Sequence, residues 1–155
     1  MNKLLIFCLS LFFAACENNH KPTVSKEQLK TYQEQEAAIE NYLISEIGVV
    51  GFEGTVYCVD SLLGVGEDAF YLYVFCQEYY SSYGKSEKGT GVIMPIKLLV
   101  KNDVIVGHEN PEDGSRYTKD IERIFPKPIA KNIQNNPLNT DLLQKMKLKL
   151  GSKKG

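Results

Sequence analysis

The chain predicts an α+β fold, in which one N-terminal helix packs on a four-stranded antiparallel sheet and short C-terminal helices follow. Three observations carry that prediction. Apolar residues recur at helical spacing from Leu29 to Ile47, four β-rich runs separated by turn signals occupy residues 55–108, and helical spacing returns after a turn-dense loop. The 155-residue chain supplies one domain's worth of sequence, assigned to 25–155, long enough to bury a core.

The first element starts at Ser25, which with Gln28 forms the Ser-x-x-Gln pattern of a capping box. Leu29, Tyr32, Ile39, Leu43 and Ile47 then form one apolar stripe, and Gly48 predicts a left-handed stop. The stripe reads as a helix laid on a sheet because the runs beyond Gly48 are strongly β in character. Thr55–Asp60 and Ala69–Tyr80 are rich in β-branched and aromatic residues and predict a hairpin around Leu63-Gly64-Val65-Gly66-Glu67-Asp68. In the second strand Phe70, Leu72, Val74 and Cys76 share one face and read as core. Tyr71, Tyr73, Phe75 and Tyr79 share the other face, which either packs under the C-terminal helices or forms an amphipathic binding surface.

Ser81–Gly91 is polar and predicts a connecting loop, after which Val92–Lys101 returns to β character. Pro95 cannot donate to a ladder and places its strand at an edge or a bulge there. Lys101-Asn102-Asp103-Val104 predicts a two-residue turn into Val104–His108, with Lys97 opposite His108. Glu109–Tyr117, containing Asn-Pro and Asp-Gly, predicts a loop. Tyr117–Phe125 carries Ile121, Ile124 and Phe125 at helical spacing, Pro126 stops it, and Pro128 starts a further turn carrying Ile129 and Ile133. A last helix runs from Thr140 to Gly151 with a stripe of Leu142, Leu143, Met146 and Leu150. Its lysines, Lys145, Lys147, Lys149, Lys153 and Lys154, read as a solvated face and tail, with contact to an anionic membrane as the alternative.

The extreme N-terminus carries the most specific pattern in the chain. Lys3 precedes a nearly unbroken apolar run from Leu4 to Phe13, and Ala14-Ala15 stand directly before Cys16. The run is too short to cross a bilayer as a helix. The small-small-Cys ending resembles a bacterial lipobox. That resemblance implies that residues 1–15 are a signal peptide, that Cys16 is lipidated, and that a polar tether, residues 16–24, joins the anchor to the domain. It places the domain outside the cytoplasm in a bacterial cell envelope, on the inner or the outer membrane. The whole chain resembles small bacterial lipoproteins of unknown function. Its helix-then-meander order is similar to cystatin-like folds in topology alone; the cystatin inhibitory motifs are not evident, so protease inhibition does not carry over.

Lys and Arg number 18 against 19 Asp and Glu, and residues 1–15 hold Lys3 and no acid, so the mature chain carries a net charge of −2. No global field favours nucleic acid. With Cys8 removed and Cys16 lipidated, Cys58 and Cys76 remain as an even pair that the hairpin either bridges or buries as two thiols. Catalytic groupings are missing. His20 lies in the tether and His108 at a strand end, so neither stands beside a nucleophile, and His108 with Glu109 points to opposite faces of a strand. Asp60, Glu67 and Asp68 lack the spacing of a calcium loop, and Gly64-Val65-Gly66 and Gly89-Thr90-Gly91 lack the context of a phosphate cradle. No cofactor or metal is expected.

These readings converge on a non-catalytic binding or interaction protein held to a membrane by its lipid and engaging an unknown protein or small molecule. An immunity or inhibitor lipoprotein, or a small carboxylate-based envelope enzyme, is the alternative. The candidate surface is the loop with Asn110, Asp113 and Arg116, together with Tyr71, Tyr73 and Tyr79.

Overall fold

The structure, a computed structural model, describes residues 24–136 and 140–152. Cys16 and all but the last residue of the tether lie outside the described residues. The elements run in order α1 (Lys26–Glu34), α2 (Glu36–Tyr42), a π-helical turn (Leu43–Ile47), β1 (Thr55–Val65), β2 (Ala69–Ser82), β3 (Lys85–Lys101), β4 (Val104–Glu109), α3 (Tyr117–Ile124), α4 (Lys127–Asn135) and α5 (Thr140–Ser152). The four strands form one antiparallel sheet in the order β1-β2-β3-β4, so the α+β class is as predicted.

The capping box is present: Gln28 N–H donates to Ser25 Oγ, and Ser25 N–H to Gln28 Oε1. The single predicted helix is interrupted at Gln35 and ends in the π-helical turn. Gly48 does not adopt the left-handed stop; its φ of −62° and ψ of 136° are extended. A Cβ there would lie 2.7 Å from Ile44 O and from a methyl of Val56, so close packing is what requires glycine.

Both faces of the sheet are covered. On one, Phe70, Leu72, Val74 and Cys76 pack with Ile39, Leu43, Ile47, Ile96 and Leu98. On the other, Tyr73 and Leu63 pack with Ile121, Ile124, Phe125, Ile129, Ile133 and Leu142. β2 is therefore buried from both sides, which explains its near-continuous apolar composition.

The polar segment 81–91 is not a loop. β2 and β3 continue through it as a long hairpin that turns at Tyr83 and Gly84, both at positive φ (49° and 72°). Its polar composition reflects strands that outrun the helical layers into solvent. The turn at Asn102 and Asp103 has the predicted positive φ values, 51° and 60°. β4 carries one extra residue, Val106, between the partners of Leu99 and Val100, so Leu98 rather than Lys97 faces His108, and Lys97 faces Glu109 and pairs with it at 2.8 Å. Pro95 pairs with Tyr73 of β2, while β4 stops opposite Lys97, so no strand on that edge asks Pro95 for a donor.

Cys58 and Cys76 are direct cross-strand partners, with Cα atoms 4.1 Å apart, and are joined by a disulfide. The bridge closes a separation of 18 residues inside the first core. Replacing both cysteines by alanine is expected to lower unfolding free energy by about 3 kcal/mol, read as a lower urea midpoint. A midpoint equal to wild type, or a mature mass showing two free thiols, refutes the bridge.

Candidate functional site

The residues proposed from sequence do not form one surface. Tyr73 is only 4% exposed, held in the second core. Burial and the adjacent Tyr117, to which it is hydrogen-bonded, push its pKa up to about 12. Tyr71 is half-buried with its ring against Phe125, and Tyr79 is half-buried edge-on to Tyr57. Tyr71 and Tyr73 are thus packed with α3 and α4 as part of the second core, whereas Tyr79 packs against Tyr57. Asn110, Asp113 and Arg116 are exposed, and Arg116 pairs with Glu112. Their loop is fixed from behind by Asp120, which accepts from Glu112 N–H at 3.0 Å and from Arg123. His108 is engaged structurally, with Nδ1 2.9 Å from the Tyr42 hydroxyl.

Carboxylates do converge at one place. Asp60, Glu36 and Glu40 line a cleft of about 290 Å³ with Tyr32, Lys145 and Lys149. Tyr32 donates to Asp60 Oδ2 at 2.6 Å. Burial raises the Asp60 pKa against the pull of that hydrogen bond and of Lys145. Both lysines donate to alternate carbonyls of the β1 edge, Lys145 to Asp60 O at 2.8 Å and Lys149 to Cys58 O at 2.7 Å, and Lys149 also pairs with Glu40. These lysines are not the solvated face that the sequence predicts. They dock α5 along the edge of β1, giving otherwise unpaired carbonyls their donors and blocking strand addition there. Chemically the cleft is a clamp whose donors and acceptors serve one another. Among the described residues no group of three or more His, Cys, Asp or Glu could hold a metal ion.

A different arrangement stands out at the opposite end of the sheet. Glu78 follows Cys76 on the inward face of β2 and is 0% exposed. Its carboxylate accepts from the backbone N–H groups of Phe52 (2.9 Å) and Gly54 (2.8 Å) on Oε1, and of Gly51 (2.9 Å) and Thr90 (3.2 Å) on Oε2. The Thr90 hydroxyl lies 2.9 Å from Oε2 and also reaches Val49 O, with one proton for the two. β3 carries an extra residue here, between partners of Gln77 and Tyr79. A Cβ on Gly89 would lie 2.4 Å from Glu78 Oε2, so this bulge must contain glycine. Gly89-Thr90-Gly91 does cradle an anion, but the anion is the protein's own carboxylate.

Held in this way, the 49–53 segment presents its apolar side chains outward. Val49, Val50 and Phe52 each expose half or more of their surface, and the Phe52 ring stacks on Tyr80 with centroids 4.8 Å apart. Tyr83, at the tip of the β2–β3 hairpin and three residues beyond Tyr80, is fully exposed. A bulky residue at positive φ costs about 1–3 kcal/mol. Tyr83 therefore bears backbone strain without compensating burial.

The sequence signal for this site is a charge at the next inward position after Phe70, Leu72, Val74 and Cys76, surrounded by Gly51, Gly54, Gly89 and Gly91. No family model, no curated protein and no solved structure matches the chain.

Burial pushes the Glu78 pKa up, but the hydrogen bonds from Gly51, Gly54, Phe52 and Thr90 outweigh it and hold it at about 2, below the ordinary 4.5. A depressed carboxylate stabilises the fold above its unfolded pKa, and that contribution disappears as pH falls through its folded pKa. The amide proton resonances of Gly51, Phe52 and Gly54 are accordingly expected to stay constant from pH 7 to about 4.5 and to move together with a midpoint near 2. Glu78→Gln is expected to speed hydrogen exchange at those amides at neutral pH. A shared midpoint at 4.5, or unchanged exchange in the variant, refutes the cradle.

Proposed function

We propose that this chain is a lipid-anchored, extracytoplasmic, non-catalytic binding protein whose recognition element is the apolar segment 49–53 with the Tyr83 tip. The anchor rests on the signal pattern ending at Cys16. The recognition role rests on one observation: Val49, Val50 and Phe52 are fixed in solvent by the buried Glu78 carboxylate, an investment of buried charge that adds no apolar burial of its own. Pre-ordered apolar and aromatic side chains lose little entropy on association and supply contact area. Val24, where the tether reaches the domain, lines one shallow pocket with Val65 and Gly66 at the far end of β1. Eleven residues of strand separate that end from the segment, roughly 35 Å, leaving it clear of the tether.

A projecting, rigid apolar element is also what an inhibitor or immunity protein inserts into a cleft, and this supports that narrower reading over the enzyme. Among the described residues the carboxylate-enzyme reading rests on the Asp60 cleft, whose carboxyl is already hydrogen-bonded to Tyr32.

Two experiments test the proposal. Cys16→Ser is expected to move the protein from the detergent phase to the soluble envelope fraction or leave it unprocessed; unchanged partitioning refutes the anchor. Tyr83→Asn, placing a residue favoured in this turn, is expected to raise the unfolding free energy by about 1 kcal/mol and to weaken capture of the partner that the wild type retains from its own envelope. Phe52→Ser is expected to abolish that capture, and Arg116→Ala to leave it intact. Capture that survives Phe52→Ser and Tyr83→Asn but fails with Arg116→Ala assigns recognition to the 109–116 loop and overturns the proposal.

A further inference from the structure

A second cavity, of about 290 Å³, lies between α1 and the turns that join β1 to β2 and β3 to β4, at the end of the sheet opposite Glu78. Its floor is apolar, formed by Val65, Phe70 and Val100 of the first core. Its donors are already engaged. Gln28 Nε2 donates to Val65 O at 3.1 Å and the Thr31 hydroxyl to Glu27 O at 3.1 Å, while Gly66 N–H donates to Ala69 O at 2.8 Å and Val100 N–H to Asp68 O at 2.9 Å. Its acceptors are not. Glu27, Glu67 and Asp103 line the cavity, and among the described residues none of their carboxylates has an ion pair or a hydrogen bond. Gln35 also lines it. The Oε1 of that residue, with less than 1 Å² accessible, is the one buried side-chain polar atom among the described residues that has no hydrogen-bond partner.

A buried acceptor left without a donor destabilises a fold, and here it stands in the wall of a cavity whose rim is acidic. Among the described residues no lysine or arginine lines that cavity. Lys30 is paired with Glu34, and Lys101 follows Val100, which packs against the first core, so Lys101 lies on the opposite face of β3. The complementary ligand carries positive charge, several N–H donors and an apolar stem. A bare metal ion does not meet this description, because among the described residues no group of three or more His, Cys, Asp or Glu could hold one. A primary ammonium does: it is a compact charge with three donors on a flexible methylene stem. We propose that this cavity binds an alkylammonium group, its nitrogen donating to Gln35 Oε1 and facing the rim carboxylates, its methylene chain resting on Val65, Phe70 and Val100. Both a free diamine and a lysine side chain of a partner protein offer that group. The site is independent of the 49–53 segment and lies at the other end of the sheet.

The test titrates the full mature protein, in a neutral detergent, with 1,4-diaminobutane while its amide spectrum is recorded. Shifts are expected at Gly66, Glu67 and the Gln35 side-chain amide, and none at Gly51, Phe52 and Gly54. 1-Butanol, a similar chain without the charge, is expected to give no shift at either place. Asp103→Asn keeps a residue favoured at the positive φ of 60° found there. It and Glu67→Gln are each expected to weaken diamine binding by up to about fivefold. Gln35→Leu is expected to weaken it about tenfold while raising the urea midpoint of the ligand-free protein, because the unserved acceptor is gone. Comparison with Nα-acetyl-lysine methylamide assigns the source: tighter binding of the diamine supports a free amine as ligand, and tighter binding of the lysine derivative supports a lysine of a protein partner. Shifts that are absent, or that persist unchanged in Gln35→Leu and Asp103→Asn, overturn the proposal. A raised urea midpoint in Gln35→Leu without diamine binding to the wild type makes Gln35 a locally unsatisfied group and overturns it equally.

Discussion

β2 is covered by helices on both faces and by a strand on each edge, and the rest of the architecture depends on that burial. A strand enclosed from every side must be apolar at odd and even positions alike. Phe70, Leu72, Val74 and Cys76 meet the N-terminal helical layer, while Tyr73 meets the C-terminal one. The interleaved tyrosines are therefore packing material for a second core that the N-terminal helix cannot reach. The disulfide from Cys76 ties this strand to its β1 neighbour. Lys149, bonded to Cys58 O and paired with Glu40, links α5 to both the β1 edge and α2.

The enclosure ends at Glu78, and the chemistry changes at that residue. One position further along the inward face there is no helix to pack against, and a carboxylate takes the place of an aliphatic side chain. Four backbone N–H groups and a hydroxyl replace the water it loses, which is the condition for burying an unpaired anion. The same bonds satisfy donors of the 49–53 segment that no strand or helix would otherwise serve. Loop order and carboxylate burial thus depend on each other, and the apolar side chains between those amides are turned outward as a consequence.

Legibility from sequence tracks the range of the interactions concerned. The capping box at Ser25, the turn at Asn102-Asp103, the stop at Pro126 and the inward set of β2 are readable because each depends on neighbours a few residues away. The Cys58–Cys76 pairing is readable only as one of two outcomes, since the bulge at Leu63 that fixes the register is not encoded locally. Segment 81–91 reads wrongly as a loop because strand propensity assumes a half-buried surface, and a hairpin standing in solvent has no reason to be apolar. The lysines of α5 mislead for the complementary reason: their partners are backbone carbonyls 85 and 91 residues away, which no charge pattern announces. Glu78 is visible as a break in an apolar pattern, but its donors lie 12 to 27 residues distant.

Two features distinguish surface kept for folding from surface kept for contact. Where an exposed residue also serves the fold, as Arg123 does in joining Glu109 and Asp120, its exposure needs no further cause. Tyr83 is at a strained φ, and Leu148 is an apolar side chain on a helix whose core face is already filled. Substitution by asparagine at the first or by a polar residue at the second would relieve strain or improve solubility at little structural cost. The Tyr83 backbone conformation costs free energy that burial of its side chain does not offset. The two lie on different parts of the molecule, one at the tip of the β2–β3 hairpin and one on the helix flanking β1.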